Sequence, residues 1–388
     1  MTYDFDSIIC RKGSGCFKHD GMKSVYGRES LLPLWVADME FAVAPQIIEA
    51  MQKRLDHHVF GYNFRFPEYY EAVADWAASQ YGYRPELDWI LDSPGVMPAV
   101  SLAVSVFTEP GDGILIQTPV YEPFFKAARD QARTLLTNPL KLVDGRYEID
   151  FEDFEAKLKQ ARVFILCSPH NPVGRLWSPE ELRKMGTLCK QHGVLVISDE
   201  IHADLVYNGA KALSIASLED FADFTICCFS TAKSFNLAGL STAAVIVKNP
   251  RLRLKLQVAL RNLHLFMGNS FGISAVIAAY REAQDWLEAA LKYLDDNRRF
   301  LQDAFASELP QLKFIHPEAT YLAWVDFREL GLDDAQIRDF LIEKAGIAMV
   351  PGTNFGTDGS GFQRLNFACP RSILEEAVQR LKTGLREL

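Results

Sequence analysis

Lys233 is the residue around which the chemistry gathers. It lies in Ser230-Thr231-Ala232-Lys233-Ser234-Phe235-Asn236, directly after the apolar run Phe224-Thr225-Ile226-Cys227-Cys228-Phe229. In an α/β protein the loops past the carboxyl ends of the strands are where ligands bind. An amine placed there can condense with an aldehyde if its pKa is lowered or it is held against the carbonyl. A lone lysine on a loop is ordinarily a solvated surface group. Three upstream residues change that expectation: Tyr121, Asn171 and Asp199 each follow a short apolar run of strand character, as Lys233 does. None is specific alone, and their convergence on one sheet edge is the argument.

A lysine, an aspartate, an asparagine and an aromatic ring at one edge suit pyridoxal 5'-phosphate. Lys233 would carry the imine, and Asp199 would keep the pyridine nitrogen protonated so that the ring can accept electrons. Asn171 would donate to the ring's phenolate oxygen, and Tyr121 would lie on the ring face. Gly95-Val96-Met97 leads into the helix that ends at Phe107, and free N–H groups with a helix dipole suit a phosphate; the hydroxyl of Ser230 would join them. Arg364, beyond a glycine-rich loop, would hold a substrate α-carboxylate with its two-pronged guanidinium.

The elements that must position these groups alternate regularly. Strands are expected at 89–91, 114–117, 163–167, 194–198, 224–229 and 243–247, with helices between them, including 45–55, 67–81 and one capped by Ser178 with Pro179 at its first position. Such alternation predicts a mostly parallel sheet covered on both faces by helices. After about residue 250 the pattern changes to long helices, then a strand over 321–326, a helix over 334–345, strands at 347–350 and 362–367, and a final helix over 372–388. These form a smaller α+β domain. The expected division is an N-terminal segment 1–45 packing with the small domain, a large cofactor-binding domain 46–285 and a small domain 286–388. Gly13-Ser14-Gly15 superficially suggests a dinucleotide loop, but the third glycine and a preceding strand are missing, so a turn is expected. The dense cluster Leu34–Phe41 reads, on composition, only as chain packed on the core.

The chain has 388 residues, 48% of them hydrophobic, enough for a sizeable core. Its formal net charge of -9 argues against nucleic acid or an anionic membrane as the main partner. No stretch is long and apolar enough to span a bilayer, and the acidic start Met1–Asp6 lacks the apolar core of a signal peptide. Seven cysteines without a C-x-x-C pair fit reduced, buried thiols in the cytoplasm better than disulfides or a metal site.

The motifs Asn171-Pro172-Val173-Gly174, Asp199-Glu200-Ile201-His202 and Ser230-Thr231-Ala232-Lys233, in this order and spacing, resemble fold-type I pyridoxal-phosphate enzymes of the class I/II aminotransferase superfamily. Within it the chain is most similar to the MalY/PatB-type cystathionine β-lyases, on Trp35–Phe41, Phe60-Gly61-Tyr62, His202-Ala203-Asp204, Lys233–Asn236, Thr320–Trp324 and Arg364-Leu365-Asn366. The resemblance implies α,β-elimination from cystathionine or another cysteine S-conjugate, giving a thiol, pyruvate and ammonia. It also implies a homodimer with Tyr62 reaching the partner's phosphate, and Trp35 near the substrate. Where many aminotransferases have a phosphate-binding arginine eight residues after the lysine this chain has Ser241, and where they often have a tyrosine it has His202, which is expected behind the first layer of cofactor contacts.

Three other readings compete. One is an aminotransferase acting through the same residues. Another is a lyase with an added regulatory, protein-binding role. The third is a serine enzyme built on Ser230-x-x-Lys233 and Lys382-Thr383-Gly384, which lacks the S-D-N element and puts Lys382 in a helix.

Overall fold

The computed structural model describes residues 3–218 and 220–388; Met1, Thr2 and Glu219, and with them the first two residues of the acidic start, lie outside the described residues. The central sheet has seven strands, in spatial order Ile90–Ser93, Ala243–Ile246, Thr225–Phe229, Leu195–Asp199, Ala161–Cys167, Gly113–Thr118 and Thr134–Pro139. All neighbours are parallel except Ala243–Ile246, which runs antiparallel to both of its neighbours. The large sheet is thus mostly parallel, as the alternation of strands and helices predicts.

Alternation along the strands builds two layers. Ile114, Ile116, Val163 and Ile165 point to one face and pack with Val100 and Val104 of the helix Val96–Phe107. Leu115, Phe164 and Leu166 point to the other and pack with Phe154, Leu182 and Met185. A strand buried on both faces must be apolar at both parities, which is why these runs read as continuous hydrophobic stretches. The helix Pro179–His192 behaves as its sequence predicts. Ser178 accepts from the Glu181 N–H, Glu181 reaches back to the Ser178 N–H, and Gly193 closes the helix at φ +66°.

The second sheet has four strands, in the order Lys313–Ile315, Leu322–Asp326, Phe362–Asn366 and Val350–Pro351, all antiparallel. The helices Gln284–Glu308 and Arg371–Leu385 cover it.

Several elements differ from the expectation. The single strand expected at 347–350 is two: Ile347–Ala348 pairs in parallel with Leu32–Pro33, and Val350–Pro351 joins the four-stranded sheet. The helix expected over 334–345 is α-helical only for Asp334–Asp339 and widens to a π-helix over Phe340–Ala345. Phe340, Leu341 and Ile342 are all buried there, and three consecutive apolar side chains cannot share one narrow helical face. Trp89 belongs to a short 3-10 turn rather than to the first strand. Gly13-Ser14-Gly15 is a turn, whose Gly13 and Gly15 N–H groups donate to Asp20.

Candidate active site

The residues singled out in the sequence line one cavity of about 520 Å³ at the carboxyl edge of the large sheet. Asp199 is the last residue of its strand, Asn171 follows Ala161–Cys167, Tyr121 follows Gly113–Thr118, and Lys233 sits in the four-residue helix Thr231–Ser234. So short a helix has too few internal hydrogen bonds to hold itself, and side chains do the work. Ser230 caps it, accepting from the Ala232 N–H, and Ser234 Oγ donates to Asp204. Asp204 also accepts from Trp76 Nε1 at 3.0 Å and Tyr81 OH at 2.5 Å. The loop that begins at Asp199 is thereby tied to the one that carries Lys233.

Lys233 Nζ donates to the Ala37 carbonyl at 2.6 Å. Burial, together with the guanidinium of Arg364, brings its pKa down to about 8 from the ordinary 10.5. Asp199 is pushed up to about 6 by burial, while the Ile201 N–H and the Lys233 ammonium pull it back, so it is largely ionised at neutral pH. Burial also raises the Tyr121 phenol, with the Asp199 charge adding to it. Arg364 is buried and brought down to about 10, still charged at neutral pH. Its Nη1 donates to Asn171 Oδ1 at 3.1 Å, its Nη2 to the Trp35 carbonyl at 3.0 Å, and its guanidinium lies 4.9 Å from the centre of the Phe355 ring. Its Nε has no partner.

His202 lines the cavity rather than standing behind it. Burial, then the charges of Lys233 and Arg364, hold it well below the ordinary histidine range, so it is neutral, and its Nδ1 has no partner. Gly95, Val96 and Met97 form the cavity wall at the start of the helix Val96–Phe107, whose first N–H groups have no helical acceptor. The Ser230 hydroxyl faces the cavity, but its own proton goes to the Thr242 carbonyl at 2.6 Å. Tyr62 is apart from all of these, 93% exposed on the surface.

The segment 35–41, which composition reads only as packed chain and the resemblance places near the substrate, closes one side of the cavity with Trp35, Val36 and Ala37. It is held by side chains instead of strand pairing. Asn366 Nδ2 donates to the Val36 and Asp38 carbonyls, both at 2.6 Å. Asn236 brackets Met39 and reaches the Phe41 carbonyl. The acidic pair Asp38 and Glu40 is met by Arg11 and by the fully buried Lys18. Gly174 makes a further connection between the two sheets. It has φ +70°, its carbonyl accepts from the Glu318 and Ala319 N–H groups, and a Cβ there would stand 2.5 Å from Pro317 Cβ, so only glycine fits.

Two cavity residues, Tyr26 and Arg338, belong to no motif, and no sequence signal pointed to them. The serine-enzyme reading fails on geometry: Lys382 lies in the helix Arg371–Leu385 and pairs with Glu308 at 2.6 Å. Among the described residues no cluster of three His, Cys, Asp or Glu side chains could hold a metal, and no helix is long and apolar enough to cross a membrane.

The profile of the family described as aminotransferase class I and II matches residues 30–381. The cystathionine beta-lyase PatB of Bacillus subtilis (strain 168) is 41% identical over 385 residues, covering 98% of this chain and all of that one. The structure of cystalysin from Treponema denticola, which contains pyridoxal 5'-phosphate, superposes with a TM-score of 0.96 at 38% identity over the whole of both chains. That of the pyridoxal-phosphate-bound C-S lyase from Staphylococcus hominis does so at 0.93 and 34%, covering 99% of this chain and 98% of that one.

Proposed function

The chain belongs to the class I and II aminotransferase family, and we propose that it is a pyridoxal-phosphate-dependent carbon–sulfur β-lyase cleaving cystathionine or a related cysteine S-conjugate to a thiol, pyruvate and ammonia. The observation that carries the reading is the Lys233–Asp199–Asn171–Arg364 constellation in one cavity, in a chain similar throughout to a cystathionine β-lyase and to structures that hold this cofactor.

The residues present fit the cofactor. A buried amine, an ionised carboxylate and an amide share the cavity with a helix N-terminus whose first donors are free, and Arg364 Nε and His202 Nδ1 are buried polar atoms awaiting partners. When bound, pyridoxal phosphate supplies an electron sink for the carbanion formed at the substrate Cα. Lys233, its pKa near 8, is poised to take the Cα proton and to pass a proton to the departing sulfur. Asp199 would keep a proton on the ring nitrogen, and Tyr121 would cover the ring face. Gly95, Val96, Met97 and Ser230 would surround the phosphate. Arg364 would orient the substrate by its α-carboxylate, with Asn171 fixing the guanidinium and Trp35 walling the substrate side. Neutral His202 would stand beside the ring, replacing the tyrosine of related enzymes.

The site is completed by a second copy of the chain. Val59, Phe60, Tyr62, Phe64 and Phe66 are exposed together, beside the equally exposed Leu263 and Phe266; Arg65 Nη1 donates to the Phe266 carbonyl and joins the two stretches. An apolar surface of this kind suits a two-fold interface, from which Tyr62 would reach the partner's phosphate. The seven free cysteines are consistent with a cytoplasmic setting.

The test is incubation of purified protein with cystathionine and S-alkyl cysteines, assaying pyruvate, ammonia and thiol. Pyruvate should form without any added 2-oxo acid. A strict requirement for a 2-oxo acid, with amino groups passing to it quantitatively, would make the protein an aminotransferase.

A further inference from the structure

The cavity changes character along its length. Its deep end is polar, with Lys233, Asp199 and Arg364. Its middle is apolar, walled by Tyr26, Trp35 and Val350. Tyr26 and Trp35 meet edge to face at 5.2 Å, and both are locked by hydrogen bonds to carbonyls, Tyr26 OH to Met349 and Trp35 Nε1 to Lys18. The outer end is charged again. Arg338, on the helix Asp334–Asp339, lines the cavity with its side chain half exposed. The nearest carboxylate is the adjacent Asp339, at 3.9 Å, too far for a hydrogen bond. The other charged group on the outer rim, Glu122, is already answered by Lys126 at 2.8 Å. Tyr26 stands within electrostatic reach of both arginines: burial pushes its phenol up, and Arg364 and Arg338 pull it back. The buried Arg364 and the half-exposed Arg338 thus both lie within electrostatic reach of Tyr26 in the apolar part of the cavity.

Polar, apolar, charged is also the order of groups along a cysteine thioether whose sulfur carries a second amino-acid end with its own carboxylate. We propose that Arg338 binds the distal carboxylate of the substrate, so that the enzyme prefers S-conjugates whose leaving thiol carries a carboxylate over S-alkyl cysteines that carry none. This deepens the lyase reading and rests on it. Arg364 would take the α-carboxylate, the thioether methylenes would lie against Tyr26 and Val350, and the distal carboxylate would meet the Arg338 guanidinium, which no carboxylate hydrogen-bonds. A cation–anion contact of this kind, half exposed to solvent, is worth roughly tenfold in affinity.

The test compares cystathionine with S-ethylcysteine on the pyridoxal-phosphate-loaded enzyme and its Arg338→Gln and Arg338→Glu variants. In Arg338→Gln, kcat/KM for cystathionine should fall roughly tenfold, mostly through KM, while S-ethylcysteine, lacking a distal charge, should lose about twofold at most. Arg338→Glu should cost cystathionine more and should favour S-(2-aminoethyl)cysteine, whose distal end is cationic. Calorimetry with the uncleavable analogue in which CH2 replaces sulfur should show the same roughly tenfold weakening in Arg338→Gln. Equal losses on both substrates, or no loss on cystathionine, would overturn the assignment of Arg338 alone. Failure of the unaltered enzyme to cleave both cystathionine and S-ethylcysteine would overturn the lyase reading itself, and this inference with it.

Discussion

Lys233 and Ala37 are 196 positions apart in the chain, yet the amine of one donates to the carbonyl of the other at 2.6 Å, and the Tyr321 hydroxyl donates to the same carbonyl at 2.9 Å. The N-terminal segment, the large sheet and the small sheet therefore meet at one backbone oxygen. An amine held there is kept from wandering to solvent and stays on the cavity side of the strand end.

Lys233→Ala should cut turnover by at least about 10²- to 10⁴-fold, because the covalent anchor and the proton-transferring base are lost together. Borohydride should fix the cofactor irreversibly to Lys233 in the unaltered protein and leave none fixed in the variant. Recovery of the reduced adduct on Lys18, the other buried lysine near this segment, would show that the wrong amine had been assigned.

Covalent uptake of pyridoxal phosphate by cofactor-free protein should depend on pH in a way that reports the lowered pKa. Only the neutral amine is a nucleophile, so the rate should rise up to about pH 8 and then level off, instead of climbing toward 10.5. The Arg364 guanidinium helps to hold the ammonium down, so Arg364→Gln should move the plateau to higher pH. A profile that is unchanged in Arg364→Gln would remove that guanidinium as a cause.

Asp199→Asn is nearly isosteric and should leave the fold intact, as circular dichroism and the melting temperature would show. It should lower kcat by about 10²-fold or more, since a neutral amide cannot keep the ring nitrogen protonated. A variant turning over at close to the normal rate would make Asp199 a structural residue.

Mixing Tyr62→Phe protomers with Lys233→Ala protomers should regenerate activity, because each mixed dimer would contain one intact site if Tyr62 acts across the two-fold axis. Subunit exchange is checked independently with differently tagged chains. If the subunits exchange and activity stays at the sum of the two variants, Tyr62 does not contribute to its partner's site.

The sequence made the catalytic edge legible because each of its residues follows a buried strand. A strand that is apolar at both parities announces itself, and so does the loop after it. The edge strand Thr134–Pro139 escaped for the opposite reason: Thr134 is exposed, and Asn138 is buried but polar, satisfied by Asp150 and Asp153. The segment 35–41 escaped because its hydrogen bonds come from Asn236 and Asn366, some 200 and 330 residues away, and no local pattern encodes them. Tyr26 and Arg338 became cavity residues only through the packing of the N-terminal segment and the small domain around the site. The position of Tyr62 relative to a partner is a property of two chains, which the periodicity of one chain does not carry.

The cysteines have a consequence for an enzyme whose product is a thiol. Cys167, Cys189, Cys227, Cys228 and Cys369 are buried, and burial pushes each thiol far above the range in which it ionises near neutrality. Disulfide exchange needs a thiolate and an open approach; none of the five offers the thiolate, and of them only Cys167 lines the cavity. Whatever oxidised thiol accumulates around the working enzyme can be captured only by Cys10 and Cys16, on the N-terminal segment ahead of residues 35–41. The catalytic sheet is chemically inert toward the product it releases.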